Sequence, residues 1–440
     1  MKKEVIFWSD SPTVSTGFAT VSRNIIKRLH ATGEYRFTVL GVSYQGDPVD
    51  TDKHPYLKFP EQGGLMAAGE GQDVYGFTRL IRMLRTDQFD ILFILNDTFV
   101  MEFALPKILD LRDNLKRKFK VIYYFPIDST PKPSWIANTV KLVDYPVTYT
   151  KYASEEVRKH FTESEPWKLR IVYHGTDKAD FFPIPGEARA ILRRSIFGIM
   201  ADRFIILNVN RNQPRKDFNS MFSAYAKFHR KFPKSYLYVL ASMEDVGGDM
   251  NEIAGQHGLV YGEDWNCPPK GIYGPNHGMP IEAVNQIYNC ADLVISTTLG
   301  EGWGLSLTEA MAVGIPVLAP RHTSVQEILG ENQERGWLIP AGGPDHTTQL
   351  PSMDNDRVRP RVHVDEMVEL MAKIMRYPGQ SKKKIEAATA WVPEWDEVCK
   401  EWIAVFKEAG EAIERDREQE KERATPQPSE NPEQSEQSEG

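Results

Sequence analysis

Two doubly wound α/β domains in one chain are what this sequence predicts, and three observations predict them. Short β-branched or aromatic runs alternate with amphipathic helical runs along most of the length, which is the punctuation of βαβ units. The alternation stops once, near residue 180, at a stretch containing two prolines and a glycine, and then resumes. At 440 residues with 41% hydrophobic side chains, the chain exceeds what one core ordinarily organises.

The elements follow in order. "EVIFWSD" reads as a first strand, and in "GFATVSRNIIKRLHATG" Val21, Ile25 and Leu29 fall at i, i+4 and i+8, the stripe of a helix packed on a sheet, with Gly33 as its stop. "RFTVLGVSY", "FDILFILND" and "KVIYYFPID" read as further strands. The boundary is placed after "LRIVYHGTDKADFFPIPGEAR", giving a first domain over residues 1–180 and a second over 181–385. The second alternation runs through "RFIILNVN", "DFNSMFSAYAKFHRKF", "SYLYVLAS", "EAVNQIYNCA", "DLVISTT", "SLTEAMAVG" and "IPVLAP". Pro344 to Pro360 lacks periodicity and is expected to be a loop, with the helix "VDEMVELMAKIMRY" after it. Residues 386–415 read as a pair of helices broken by Pro393, with Trp391, Trp395 and Trp402 available for packing. Residues 424–440, polar and acidic, are expected to be disordered.

Composition removes several functions. Cys267, Cys290 and Cys399 show no metal-ligand spacing and build no disulfide framework, so a reducing compartment is expected. The N-terminal apolar run is too short and too charged for a signal peptide, and no run approaches the roughly eighteen residues of a membrane span. The expected location is cytoplasmic, without stable membrane insertion. Of the formal charge of −8, the ten acids and four bases from Glu411 to Gly440 supply −6, leaving a nearly neutral body that does not advertise nucleic-acid binding. Neither half carries G-x-G-x-x-G after its first strand, so a nicotinamide dinucleotide is not indicated.

The chemistry concentrates in "ISTTLGEGWGLSLTEAMAVGIPVLAP", residues 295–320. "DLVISTT" is a buried parallel strand, and Gly300, Gly302 and Gly304 end it and let the backbone approach a ligand. Glu301 then lies at a carboxyl-terminal strand edge, where open α/β sheets bind ligands. A helix starting at Leu305 or Ser306 would present free N–H groups to a phosphate. Glu309 has a second reading, because Ser306-Leu307-Thr308-Glu309 matches a capping box. Glu301 alone could be a solvated loop residue.

Taken together, these residues resemble glycosyltransferase family 4 (group 1), retaining nucleotide-sugar enzymes of GT-B fold whose signature joins two glutamates eight positions apart through "EGFGL...EAMA.G.PV". Here the segment reads "EGWGLSLTEAMAVGIPV", and "IYNCADLVISTT" leads into it as in the family. In "NVNRNQPRKDF" Arg211 and Lys216 keep the family's five-residue step between arginine and lysine. The resemblance implies two Rossmann-like domains facing a cleft, with a C-terminal helix crossing back to the first. It implies an NDP-sugar donor, UDP- or GDP-linked, with no cofactor and no metal. Glu309 would bind the ribose and Glu301 the transferring sugar. The amides of Gly302, Trp303, Gly304 and Leu305 would hold sugar or phosphate, and Arg211 and Lys216 would stabilise the departing diphosphate. The leaving phosphate would take the acceptor's proton on the same face.

In the first domain "STGFATV" stands where the family has its glycine-rich loop, so Gly17 is a candidate for donor or acceptor contact, against a plain helix entry capped by Ser15 or Thr16. Many members carry a histidine after a middle strand of this domain. This chain has Pro126, Ile127 and Asp128 there, and Asp128 either contacts sugar or acceptor or merely caps a turn. His174 in "YHGTD" is read as structural or nucleotide-adjacent. The acceptor stays open among glycan, lipid, small molecule and hydroxymethylated DNA base. A non-catalytic sugar-nucleotide-binding partner subunit is the alternative from another class.

Overall fold

Near-continuous apolar strands buried on both faces require helices on both sides of a parallel sheet, and the computed structural model builds two such sheets. It describes residues 2–44, 50, 52, 73–116, 118–269, 271–273, 278–350 and 356–424. The first sheet contains β1 (Lys3–Asp10), β2 (Tyr35–Val42), β3 (Ile91–Leu95), β4 (Lys120–Phe125), β5 (Tyr145–Thr148) and β6 (Arg170–Ile171). Its order is β2-β1-β3-β4-β5-β6, parallel throughout.

The second sheet draws on β7 (Phe204–Val209), β8 (Ser235–Leu240), the hairpin β9 (Glu244–Asp245) and β10 (Gly248–Asp249), then β11 (Trp265–Asn266), β12 (Leu293–Ile295), β13 (Val317–Pro320) and β14 (Trp337–Ile339). Its order is β11-β8-β7-β12-β13-β14, also parallel, with β9 and β10 forming a separate ribbon. The order in which successive strands are added reverses at β1/β3 in one sheet and at β7/β12 in the other. Those are the crevices where doubly wound sheets bind ligands.

The expected loop from Pro344 to Pro360 instead contains an antiparallel hairpin of β15 (Thr347–Gln349) and β16 (Val358–Pro360). Periodicity could not reveal strands of three residues, one of which is mostly exposed. The expected 386–415 helix pair also has different limits, with helices at Pro378–Trp391 and Trp395–Ala424. The last helix runs longer because its charged far end is anchored on the first sheet: Lys3 meets Glu414 at 2.5 Å, Lys120 meets Asp416 at 2.7 Å and Arg417 meets Asp90 at 2.8 Å. The tail beyond Ala424 lies outside the described residues.

This last helix crosses from the second domain onto the first, and aromatic burial holds it there. Trp402 packs edge-on against Tyr124 and Phe93, with centroids 4.7 and 5.3 Å away, and Phe406 meets Tyr35 at 5.3 Å. The backbone of Pro393 at the break accepts the Thr176 N–H at 2.8 Å. Among the described residues no helix is long and apolar enough to cross a membrane.

Candidate active site

Both switch points face one cleft. From the second sheet, β12 ends and the chain turns through Leu299 to Gly304 into the helix Leu305–Val313. Gly304 is the helix cap at φ 103°, a left-handed conformation open to glycine. This overturns the capping-box reading, because Ser306 already lies inside the helix and Glu309 caps nothing. The Glu309 carboxylate instead accepts a 2.8 Å hydrogen bond from Tyr288 Oη. Burial pushes its pKa up to about 7 against the lowering effect of that bond.

Glu301 is buried, with 8% of its surface exposed, and forms an ion pair with the equally buried Lys216. Arg215 approaches its other oxygen at 3.6 Å. Burial raises the Glu301 pKa, but the two cations outweigh it and the net shift is downward. Burial also dominates at Lys216, whose pKa falls despite its partner. The Glu301 N–H donates to Thr323 Oγ1 at 3.1 Å, and Ser324 Oγ donates to the carbonyls of Glu301 and Trp303, so the turn is pinned from below.

Arg211 does not join this group. Its guanidinium reaches away to Asp245 of the β9–β10 hairpin, with contacts of 2.7 and 3.2 Å. It stands at the rim, within electrostatic reach of Asp10 on the first domain. Arg215, which the sequence reading passed over, occupies the interior. The short 3-10 turn Pro214–Lys216 brings residues 215 and 216 together at Glu301.

Trp303 serves two parts of the molecule. Its backbone belongs to the glycine turn, but its ring is buried against Tyr173 at 5.1 Å and His174 at 5.6 Å, and it stacks on Trp391 at 6.3 Å. It therefore packs the hinge between the domains. His174 sits in the same aromatic cluster, 4.2 Å from the Tyr149 ring, and burial lowers its pKa to about 3. A proton-shuttling role is closed to so deeply buried a neutral ring.

The first domain meets this surface with the carboxyl ends of β1, β3 and β4. Asp128 lies beyond β4 and is gripped by Arg359 from β16, whose guanidinium donates to the Asp128 carbonyl at 2.7 Å and carboxylate at 3.0 Å. Arg215 stands 3.4 Å from the other oxygen. Burial opposes ionisation of Asp128, yet Arg359 and Arg215 hold it below the usual carboxylate range. Gly300 lies against this contact. A Cβ there would collide with the Asp128 carbonyl and the Arg359 guanidinium. Pro126, at the end of the same strand, lies against Gly302, where an added Cβ would come within 2.8 Å of it.

Gly17 begins the helix Gly17–Ala31, and Thr16 caps that helix by accepting from the Ala19 N–H at 3.1 Å. The plain helix entry is thus present. Gly17 nevertheless faces the motif helix, since a Cβ there would stand 3.7 Å from Leu305. Asp10 and Asp97 also reach the cleft, and sequence reasoning missed both. Among the described residues no cluster of three or more His, Cys, Asp or Glu could hold a metal ion.

This architecture is that of the GT-B glycosyltransferases. Residues 276–350 match the family described as glycosyl transferases group 1. An uncharacterized glycosyltransferase of Methanocaldococcus jannaschii is 26% identical over 271 residues, 61% of either chain. A D-inositol 3-phosphate glycosyltransferase of Corynebacterium efficiens is 28% identical over 210 residues, 47% of each. The chain thus spans about half to three fifths of these relatives. Among solved structures, sucrose-phosphate synthase from Thermosynechococcus elongatus superposes with a TM-score of 0.68 at 14% identity, covering 93% of this chain and 100% of that one. Anabaena HepE in complex with UDP and glucose does so at 0.66 with 12% identity, covering 92% and 100%.

Proposed function

We propose that the protein is a retaining glycosyltransferase that moves a sugar from a nucleoside-diphosphate sugar, UDP by preference, to a hydroxyl acceptor. The observation carrying this reading is the buried Lys216–Glu301 pair with the half-buried Arg215 at the β7/β12 switch point, beside a helix start that lies one turn before Glu309. Lys216, Arg215 and Arg359 against Glu301 and Asp128 leave one positive charge over, which suits a diphosphate better than a neutral ligand. HepE, with UDP-glucose in the same fold, supports the choice of UDP.

In this reading the diphosphate lies between Lys216 and the N–H groups at Gly304 and Leu305, with Arg211 closing the rim. Glu309 accepts from the ribose hydroxyls and Glu301 from those of the sugar. As the anomeric C–O bond breaks, the electron pair leaves with the phosphate oxygen, and Lys216 and Arg215 stabilise the charge where it develops. The acceptor oxygen bonds the same face of the anomeric carbon and passes its proton to that phosphate oxygen. The chain supplies positioning and charge, without a protein nucleophile, a cofactor or a metal. Asp128, fixed by two arginines, orients the sugar from the first domain rather than exchanging protons. The three free, buried cysteines suit a reducing, cytoplasmic setting.

Incubating the purified chain with UDP-, GDP- and ADP-sugars and measuring released nucleotide tests the reading. Slow release from a UDP-sugar that Glu301→Gln abolishes is expected. Tight nucleotide-sugar binding with no release under any acceptor would favour the non-catalytic partner subunit instead.

A further inference from the structure

Three arginines stand two residues apart along and beside β16: Arg357, Arg359 and Arg361. This stretch has no apolar period and lies outside residues 276–350 that match the family. Alternate side chains of an extended chain project to one face, so the three arginines form a row, while Val358 between them is exposed. We infer that this row is a clasp across the cleft: Arg361 roots it on the donor domain, Arg357 and Arg359 fasten it to the first domain, and Arg359 is the positioning residue that keeps Asp128 at the donor cations. The inference rests on the donor reading above and adds to it an element outside the motif that completes the site.

The root is tied to the donor turn. Arg361 donates to both carboxylate oxygens of Asp217, at 3.1 and 3.3 Å, and to Ser220 Oγ at 3.0 Å. Asp217 directly follows Lys216 and caps the helix Phe218–Lys231, accepting from the Ser220 N–H at 3.3 Å. The Arg361 N–H donates to the His346 carbonyl at 2.8 Å, and the His346 ring stacks on that of His363 at 3.8 Å. The hairpin therefore moves with the turn that carries Arg215 and Lys216.

The other end of the row reaches the first domain. Arg359, only 4% exposed, directs one terminal nitrogen to the Asp128 carbonyl and the other to its carboxylate. Arg357 lies 5.8 Å over the ring of Trp135, on the short helix Pro133–Ala137. A two-stranded ribbon with three-residue strands is marginal by itself, so the contacts at its root and its reach fix its place. Between them the chain of charge is continuous, because Asp128 also meets Arg215 and Arg215 meets Glu301. Without Arg359, the Asp128 carboxylate keeps Arg215 as its close cation, and Glu301 shares that same arginine.

The experiment compares full-length wild type with Arg359→Met, Arg359→Lys, Asp128→Asn and the Arg359→Met/Asp128→Asn pair. It measures nucleotide release from UDP-glucose, UDP affinity, and small-angle X-ray scattering with UDP bound. Arg359→Met should lower kcat for release by about a hundredfold, as for a misplacement of about 1 Å at a reacting centre, with a much smaller loss of UDP affinity. It should also scatter as a wider particle, because the domains part. Arg359→Lys keeps the charge but cannot span carbonyl and carboxylate together, so it should recover little of the loss. In the Asp128→Asn chain, adding Arg359→Met should cost hardly more, since residues that act as one unit are not additive. Unchanged kcat or unchanged scattering in Arg359→Met, full recovery in Arg359→Lys, or losses that multiply in the pair overturn the inference. If Arg359→Met alone does not fold, the pair leaves no carboxylate stranded, and its comparison with Asp128→Asn decides. Failure of the donor reading is distinct: the wild-type chain then neither binds UDP nor releases it.

Discussion

Replacing Glu309 by Gln separates a site residue from a structural one, because the two roles move stability and binding in opposite directions. Burial raises the Glu309 pKa from its ordinary 4.5 to about 7. A carboxyl with a raised folded-state value favours the folded chain while protonated, below pH 4.5, and loses that advantage as pH rises to 7. Gln imitates the protonated form and keeps the bond from Tyr288. A shift of roughly 2.5 units corresponds to a ceiling of about 3 kcal/mol, and partial solvent contact lowers this to about 1–2 kcal/mol. Glu309→Gln should therefore melt about 2–8 °C higher than wild type at pH 8 and equally at pH 4.5. The carboxylate is also the proposed ribose acceptor, so the variant should bind UDP about ten- to a hundredfold more weakly. Wild-type affinity should weaken more steeply than that of the variant as pH falls from 8 to 6, the variant keeping only the loss that protonation of UDP's own terminal phosphate causes. Melting scans at the two pH values and UDP titrations across the range check both signs. A variant that binds UDP normally and melts no higher than wild type at pH 8 refutes the reasoning.

Two further outcomes follow from the cleft and the crossing helix. Lys216→Ala should lower turnover by roughly two to three powers of ten, as for a lost oxyanion donor, and lower donor affinity less; single-turnover release of sugar at saturating donor shows whether chemistry is the step affected. Ending the chain at Pro393 removes Trp402 and Phe406 from the first core, and since deleting one buried aromatic side chain costs about 3–5 kcal/mol, the truncated chain should lose the first domain's melting transition and all release. Retention of that transition would show that the helix is not what completes the core.

The strands and helices around the switch points were legible in the sequence because their cores repeat with clear periods. Val21, Ile25 and Leu29 do sit on the buried face of the first helix. Glu301, Glu309 and Lys216 were legible because they flank a glycine turn and a strand end. What stayed hidden depends on three-dimensional contact. Arg359 lies on a three-residue strand with no pattern, and only the folded hairpin carries it 231 positions back to Asp128. Arg215 was visible beside Lys216, but which arginine enters the cleft follows from a short 3-10 turn and from Asp245 engaging Arg211. Asp97 carried a usable signal, since it follows a buried strand just as Glu301 does, and the same strand-end rule applied to β3 would have found it. The packing of the Trp303 ring against Tyr173, His174 and Trp391 was hidden for the same reason, since the motif speaks only for its backbone.

The central claim is that a nucleotide diphosphate sits across the β7/β12 switch point of the second domain. Amide hydrogen exchange of the full chain with and without UDP measures this most directly. Slowed exchange is expected in two stretches, residues 210–217 and 299–313, together with a smaller effect at the Gly17 helix start across the cleft. UDP that binds with no protection in either stretch, or with protection confined to the first sheet, would contradict it.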